Sequence, residues 1–318
     1  MHVGVIGAGW WGKNIVNTFE EIPSVSRVTV FDRDPRTYEK FAANKKSTFV
    51  QSMEEILDNP AVSAICVASP PSSHYELTKS ALLKRKHVLV EKPPAYETHQ
   101  VEELGRIAAN GHLVYMIDAL YLFMEPIGKV REILQSGELQ DIRYVQMFRV
   151  GDELRREGAG LARIQKTMFE NGVDVVEDLF FHDAGILQHL FGAVEMNEVE
   201  KRCLYHPRLC DTALIKFSRG ILPLELTLSW ALAGRRRGMV VYDADYILEY
   251  DGLKSDAQVT KHSLKTNTRE SFSFENRPAL KSMLQFFIDC CIGSAANFLG
   301  VDFMMPIMKH WERIRNEK

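Results

Sequence analysis

A strand that stops on a glycine loop and restarts as a helix constrains this 318-residue chain more than any other feature. Val3-Gly4-Val5-Ile6 reads as a buried strand, Gly7-Ala8-Gly9-Trp10-Trp11-Gly12 follows at once, and a helical pattern runs through Phe19. That is the strand, G-x-G-x-x-G, helix order of a dinucleotide-binding βαβ unit. Gly7 permits the tight turn, Gly9 lets backbone approach a pyrophosphate, and Gly12 lets the helix pack closely on the strand. The helix N-terminus then offers free N–H groups and partial positive charge to phosphates. A second strand, Val28-Thr29-Val30-Phe31, ends at Asp32. This is about 20 residues past the last glycine, where a carboxylate binds ribose hydroxyls and repels a 2′-phosphate. The acid favours NAD; Arg33 keeps NADP open, because a guanidinium there can hold the extra phosphate. Trp10 and Trp11 either line the cofactor or pack the helix, with packing favoured.

The βαβ rhythm continues. Ala64-Ile65-Cys66-Val67 reads as a strand, 73–85 as a helix, 87–90 as a strand, 97–109 as a helix and 112–117 as a strand. Ser69-Pro70-Pro71-Ser72-Ser73-His74 forms the loop after one of these strands, on the ligand-binding edge. Ser69, Pro70 and His74 are candidate cofactor contacts, the alternative being a plain Pro-rich turn. Glu91-Lys92-Pro93-Pro94 ends the strand at 87–90. The prolines forbid an immediate helix and bias Lys92 toward an extended conformation. Ligands in such sheets bind outside the carboxyl ends of strands. Glu91 and Lys92 therefore join the cofactor-site candidates, and Lys92 is also a candidate for proton transfer. The alternative is an ordinary surface lysine.

With 46% hydrophobic and 25% charged residues, the chain is expected to be globular with a full core. A net charge of −3 leaves no electrostatic footprint for nucleic acid or an anionic membrane. The glycine loop begins too early for a signal peptide, and no apolar run approaches a membrane span. Five scattered cysteines without Cys-x-x-Cys pairing fit a reducing compartment. A cytoplasmic location is expected.

Residues 176–191 read as an amphipathic helix on which Asp178 and His182, four apart, share a face. An aspartate beside a histidine orients the ring and suits general acid–base chemistry. The competing readings are a stabilising i,i+4 pair or, with His189, a metal site. Asp183 points away from His182, toward a structural role. The glycine- and charge-rich stretch 151–172, with Arg155, Arg156, Arg163 and Lys166, is either a lid over an anionic substrate or a solvated loop. Gly234-Arg235-Arg236-Arg237-Gly238 joins two strand-like segments, as a charged hairpin loop or, less commonly, a diphosphate clamp. Alternating segments at 194–204, 211–218, 222–231, 238–243 and 246–250 predict a mostly antiparallel sheet, followed by helices near 278–291 and 301–315.

Together, residues 7–12, Ala68-Ser69-Pro70-Pro71, Val88-Leu89-Val90-Glu91-Lys92-Pro93, residues 129–143, Asp178-Leu179-Phe180-Phe181-His182-Asp183 and Ser229-Trp230 resemble the Gfo/Idh/MocA family of nicotinamide-dependent sugar and cyclitol oxidoreductases. Gly9-Trp10-Trp11-Gly12-Lys13-Asn14 is similar to members acting on nucleotide-linked sugars. The resemblance implies an α/β Rossmann domain with a parallel doubly wound sheet at 1–118. It also implies an α+β domain at 119–318, whose open antiparallel sheet forms homodimers or homotetramers and whose last helix can pack back on the first domain. It implies catalysis by Lys92, Asp178 and His182 without metal, NAD or NADP as cofactor, and a sugar-like substrate near Tyr121 and Asp174. Phe180-Phe181, Ala119 and Gly185 depart from the family pattern. Phe180-Phe181 crowding the site, with Ala119, would favour a catalytically silent cofactor-binding regulator or scaffold. An aromatic pocket would instead suit a reductase of non-sugar carbonyls.

Overall fold

The structure, a computed structural model of the chain, describes residues 1–41, 45–152, 154, 168, 172–256, 258–275 and 277–317. The chain forms two compact units, Met1–Phe123 with Pro278–Lys318, and Met124–Arg277. The C-terminal helices thus belong to the first unit.

In the first unit the elements run β1 (His2–Ile6), α1 (Trp10–Glu21), β2 (Arg27–Phe31), β3 (Ser47–Phe49), α2 (Glu54–Leu57), β4 (Ala64–Val67), α3 (His74–Leu83), β5 (His87–Val90), α4 (Thr98–Gly111) and β6 (Tyr115–Ile117). The sheet order is β3-β2-β1-β4-β5-β6, and every neighbouring pair is parallel. Val3, Val5, Val28, Val30, Ile65, Val67, Val88 and Val90 are fully buried, as strands covered on both faces require. The order reverses between β1 and β4, which opens a crevice at their carboxyl ends.

The second unit contains α5 (Glu125–Gln135), β7 (Ile142–Val150), α6 (Val175–Phe191), β8 (Glu195–Arg202), β9 (Thr212–Arg219), β10 (Leu222–Ser229), β11 (Arg236–Asp243), β12 (Tyr246–Asp251), β13 (Val259–Ser263) and β14 (Thr268–Phe272). Its sheet runs β14-β13-β12-β11-β7-β10-β9-β8, antiparallel throughout except for β7 with β10. Helix α6 covers β7, β9 and β10. The sequence pattern does not announce β13 and β14. The outermost strand, Thr-Arg-Glu-Ser-Phe, is almost wholly exposed, a charged edge with no buried face to leave a period-two signal. Arg236 and Arg237 pair with Val150 and Arg149 at the start of β11, and β7 lies between β10 and β11, so the expected arginine hairpin is instead a connection across β7 that ends at Arg235.

The last two helices, α7 (Ala279–Cys291) and α8 (Val301–Asn316), complete the first unit. Helix α7 packs on α1, and α8 packs on α4 and β6. Trp311 is fully buried and stacks on Tyr96, with ring centroids 5.9 Å apart. Asn297 donates to the Tyr115 carbonyl at 2.8 Å, and Ile117 N–H to Leu299 O at 3.0 Å.

Candidate active site

The three loop glycines divide by what surrounds them. Gly7 has φ +97°, and a Cβ there would lie 2.6 Å from the Ala68 carbonyl oxygen. A Cβ on Gly12 would lie 2.1 Å from Gly7 O. Both positions are glycine because the fold demands it. A Cβ on Gly9 would meet nothing within 4 Å beyond its chain neighbours among the described residues, so its missing side chain serves whatever approaches the loop. Gly9 caps α1 without a side-chain hydrogen bond, and the first turn carries no acid. The helix N-terminus thus keeps its N–H groups and positive end for an anion. These features fit a dinucleotide pyrophosphate.

Asp32, just beyond β2, is fixed beside this loop. Its Oδ2 accepts from Ala8 N–H at 2.6 Å and its Oδ1 from Asp34 N–H at 2.8 Å. Arg33 next to it is exposed. The two tryptophans part company. Trp10 is 82% exposed and stacks on Trp11, so it does not pack the helix onto the sheet. The Trp11 indole N–H donates to Glu91, tying α1 to the lysine loop across the sheet edge.

The loop after β4 places Ser69 and Pro70 on the same edge, with Ser69 Oγ 2.7 Å from Ser73 Oγ. His74 is different from its sequence reading as a cofactor contact. It is 1% exposed, with Nδ1 2.7 Å from Pro93 O and Nε2 2.7 Å from Ser69 O. Both ring nitrogens are spent on the protein backbone. Burial pulls its pKa down, and its work is to hold the Ser69 loop against the loop bearing Lys92.

Lys92 follows β5 at the same edge, half-buried, and its bond to Pro93 is cis. Beside it lies a residue that sequence reasoning missed. In the parallel register Val90 pairs with Ile117, so Glu91 and Asp118 are the next residues on adjacent strands. Asp118 N–H donates to Val90 O at 2.8 Å, and Asp118 Oδ1 accepts from Leu120 N–H at 2.9 Å. The two carboxyl groups lie against one another. Burial and then the Asp118 charge push the Glu91 carboxyl well above the usual carboxylate range. Burial raises Asp118 too, opposed by its hydrogen bonds to Glu91 and Leu120 and by the Lys92 charge. An acid directly after the apolar triplet Tyr115-Met116-Ile117 was the available signal.

The second unit carries the other candidates on α6. Asp174 is the helix N-cap, and its Oδ1 accepts from Val176 N–H at 2.9 Å and Glu177 N–H at 3.0 Å. Those bonds stabilise the helix end by about 1 kcal/mol, a structural duty beside the expected substrate contact. Asp178 and His182 lie one turn apart, both half-buried. Asp183 is 1% exposed and bound in bidentate fashion by Arg149, with contacts of 2.5 and 2.9 Å that lock α6 onto β7. Phe180 and Phe181, expected to crowd a site, are 0% and 4% exposed and form part of the core. A cavity of about 160 Å³ is lined by Arg149, Leu179, Trp230 and Arg235 to Arg237. Arg236 is stacked 3.9 Å above the Phe148 ring. Tyr121 sits half-buried on a turn of the first unit after β6. Arg155, Arg156, Arg163 and Lys166 lie outside the described residues.

The glycine loop, Asp32, the Ser69 loop, Glu91 and Lys92 therefore share one edge of the first sheet, while Asp174, Asp178 and His182 share one helix of the second unit. Residues 1–119 match the family described as "Oxidoreductase family, NAD-binding Rossmann fold". An uncharacterized oxidoreductase of Synechocystis sp. is 28% identical over 195 residues, 61% of this chain and 52% of that protein. A dTDP-3,4-didehydro-2,6-dideoxy-alpha-D-glucose 3-reductase of Saccharopolyspora spinosa is 31% identical over 144 residues, 45% of this chain and 43% of that protein. The matched stretch thus spans about half the length of these relatives. The solved structure of a UDP-N-acetylglucosamine 3-dehydrogenase from Acidithiobacillus ferrooxidans shares the fold, with a TM-score of 0.80 and 20% identity over 99% of this chain and 96% of that one.

Proposed function

We propose, from the match of residues 1–119 to the Gfo/Idh/MocA oxidoreductase family, that this chain oxidises a secondary alcohol, or reduces the matching ketone, of a sugar-type substrate. The observation that carries this reading is the sheet edge itself. An uncapped helix N-terminus, the open space at Gly9 and Lys92 lie along it, joined by the Trp11–Glu91 hydrogen bond. When bound, the nicotinamide dinucleotide supplies the hydride acceptor or donor.

The backbone N–H groups of the glycine loop hold the pyrophosphate, and Asp32 takes the ribose hydroxyls, which favours NAD over NADP. Lys92 hydrogen-bonds the substrate oxygen and stabilises the negative charge that develops on it. His182, one turn from Asp178, is the proposed acceptor of the hydroxyl proton. The exchanged assignment, with Lys92 taking the proton and His182 holding the oxygen, is chemically reasonable as well. Relatives named for dTDP-linked and UDP-linked sugars support a nucleotide-sugar substrate.

The test is nicotinamide absorbance with a panel of sugars, cyclitols and nucleotide sugars, in both directions. Turnover is expected on a nucleotide sugar with NAD. Dinucleotide binding without turnover anywhere in the panel would instead indicate a silent binding protein. With a substrate in hand, His182→Ala is expected to lower kcat by about 100-fold or more while dinucleotide affinity holds. Unchanged turnover would remove His182 from the mechanism.

A further inference from the structure

Two acids meet beside Lys92, the cation that acts on both among the described residues. Glu91 leaves β5 and Asp118 leaves β6 at equivalent positions of a parallel pair, so their side chains emerge side by side. The surrounding groups are few. Lys92 follows Glu91 beyond the end of β5, Cys66 lies on β4, the buried imidazole of His74 begins α3, and the Trp11 indole of α1 donates to Glu91. Cys66 is fully buried, and burial pushes its thiol well up, so it adds no charge of either sign. Burial instead lowers the pKa of His74, which disfavours its cation.

One oxygen of the pair lacks a donor. Asp118 Oδ1 has the Leu120 N–H, but Asp118 Oδ2 is buried and accepts from no N–H or charged donor among the described residues. Its neighbour is another carboxyl. Two ionised carboxylates in that position repel one another, and a lone pair buried without a donor is costly. A single proton on Glu91, donated to Asp118 Oδ2, removes both penalties at once. Glu91 still accepts from Trp11 and from Lys92 N–H through its remaining lone pairs.

We propose that Glu91 and Asp118 share one proton, and that this acid pair is the positioning group for Lys92 and Trp11. The pair then carries one negative charge, which Lys92 balances, and the cluster is neutral overall. Loss of the shared proton leaves two negative charges beside one lysine, so the lysine and the indole are both drawn to a changed partner. The direction in which burial and Asp118 displace Glu91 agrees with this. What Lys92 does for a substrate rests on the functional reading above; the pair itself does not.

The experiment uses the whole chain without substrate, so its failure and the failure of that reading are separable. Tryptophan fluorescence is titrated from mildly acidic to mildly alkaline pH in wild type and in Trp11→Phe, and the difference isolates Trp11. In parallel, lysines are reductively methylated with carbon-13, and the Lys92 resonance is identified by its absence in Lys92→Arg. Both signals are expected to follow one proton, with a common midpoint above the ordinary carboxylate range. Glu91→Gln, whose amide can donate to Asp118 permanently, is expected to abolish the transition in both. Asp118→Asn is expected to lower its midpoint, which keeps the test usable if one variant does not fold. A flat Trp11 difference in wild type, or the same transition persisting in Glu91→Gln, overturns the shared proton. A Lys92 resonance that ignores the transition overturns the positioning role.

Discussion

The edge below Lys92 and the middle of α6 both bury acids, and they neutralise them in opposite ways. Asp183 meets Arg149 in a bidentate ion pair, both side chains nearly sealed from water. Glu91 and Asp118 meet each other, with burial raising both. A guanidinium is charged at every accessible pH, so the α6 pair is a fixed fastening. A carboxyl pair answers to pH, so of these two acid sites the edge where we propose chemistry is the one whose charge can change.

The sharpest way to break that contrast is Arg149→Ala. It strands a buried carboxylate, and about 3–5 kcal/mol of stability is expected to go, read as a lower midpoint in urea unfolding. Replacing both partners with apolar residues of similar volume is expected to restore most of that loss. If the double variant is as unstable as the single one, the pair holds α6 by more than mutual compensation.

Next in size is the acid pair. Glu91→Ala removes the acceptor for Trp11 and leaves Asp118 alone, at a cost of about 1–3 kcal/mol near neutral pH. The pH dependence carries the sign. The folded chain holds the Glu91 proton above the range where the unfolded chain releases it, so the unfolded state binds fewer protons. This contribution is full below the ordinary carboxylate range and is lost as pH rises through the raised value. Asp118→Asn is expected to flatten that alkaline loss; thermal melts across pH give the answer directly.

The smallest effect returns to α6. Burial, and then the Arg131 charge, bring His189 down to about 4. Here the unfolded chain takes up a proton first, so stability falls as pH drops from the ordinary histidine value toward about 4. His189 is half-exposed, and screening holds the effect to about 1 kcal/mol or less. His189→Gln should blunt the acid limb of the same melts, and leave the alkaline limb untouched.

The legibility of these regions in the sequence differed for a physical reason. Strand, glycine loop and helix are local, so Gly7, Gly9, Gly12 and Asp32 could be given jobs from spacing alone, and Lys92 stood out where an apolar run ended. Asp118 needs the strand register, which pairs residues far apart in the chain. His74 read as a loop residue on the ligand edge because nothing local reveals the Pro93 carbonyl waiting across from it. Phe180 and Phe181 looked like intruders only while the face of α6 that meets the sheet was undecided. The bare charged strand β14 lacks the alternation by which strands announce themselves.

The discontinuity of the first unit bears on how the molecule is made. A ribosome releases the glycine loop, Asp32 and Lys92 long before Trp311, yet Trp311 belongs to the same core and stacks on Tyr96. The second unit, contiguous from Met124 to Arg277, can fold as it emerges, while the dinucleotide platform waits for α7 and α8. Until residues Pro278–Lys318 have followed, the unit begun by the glycine loop still lacks its final wall.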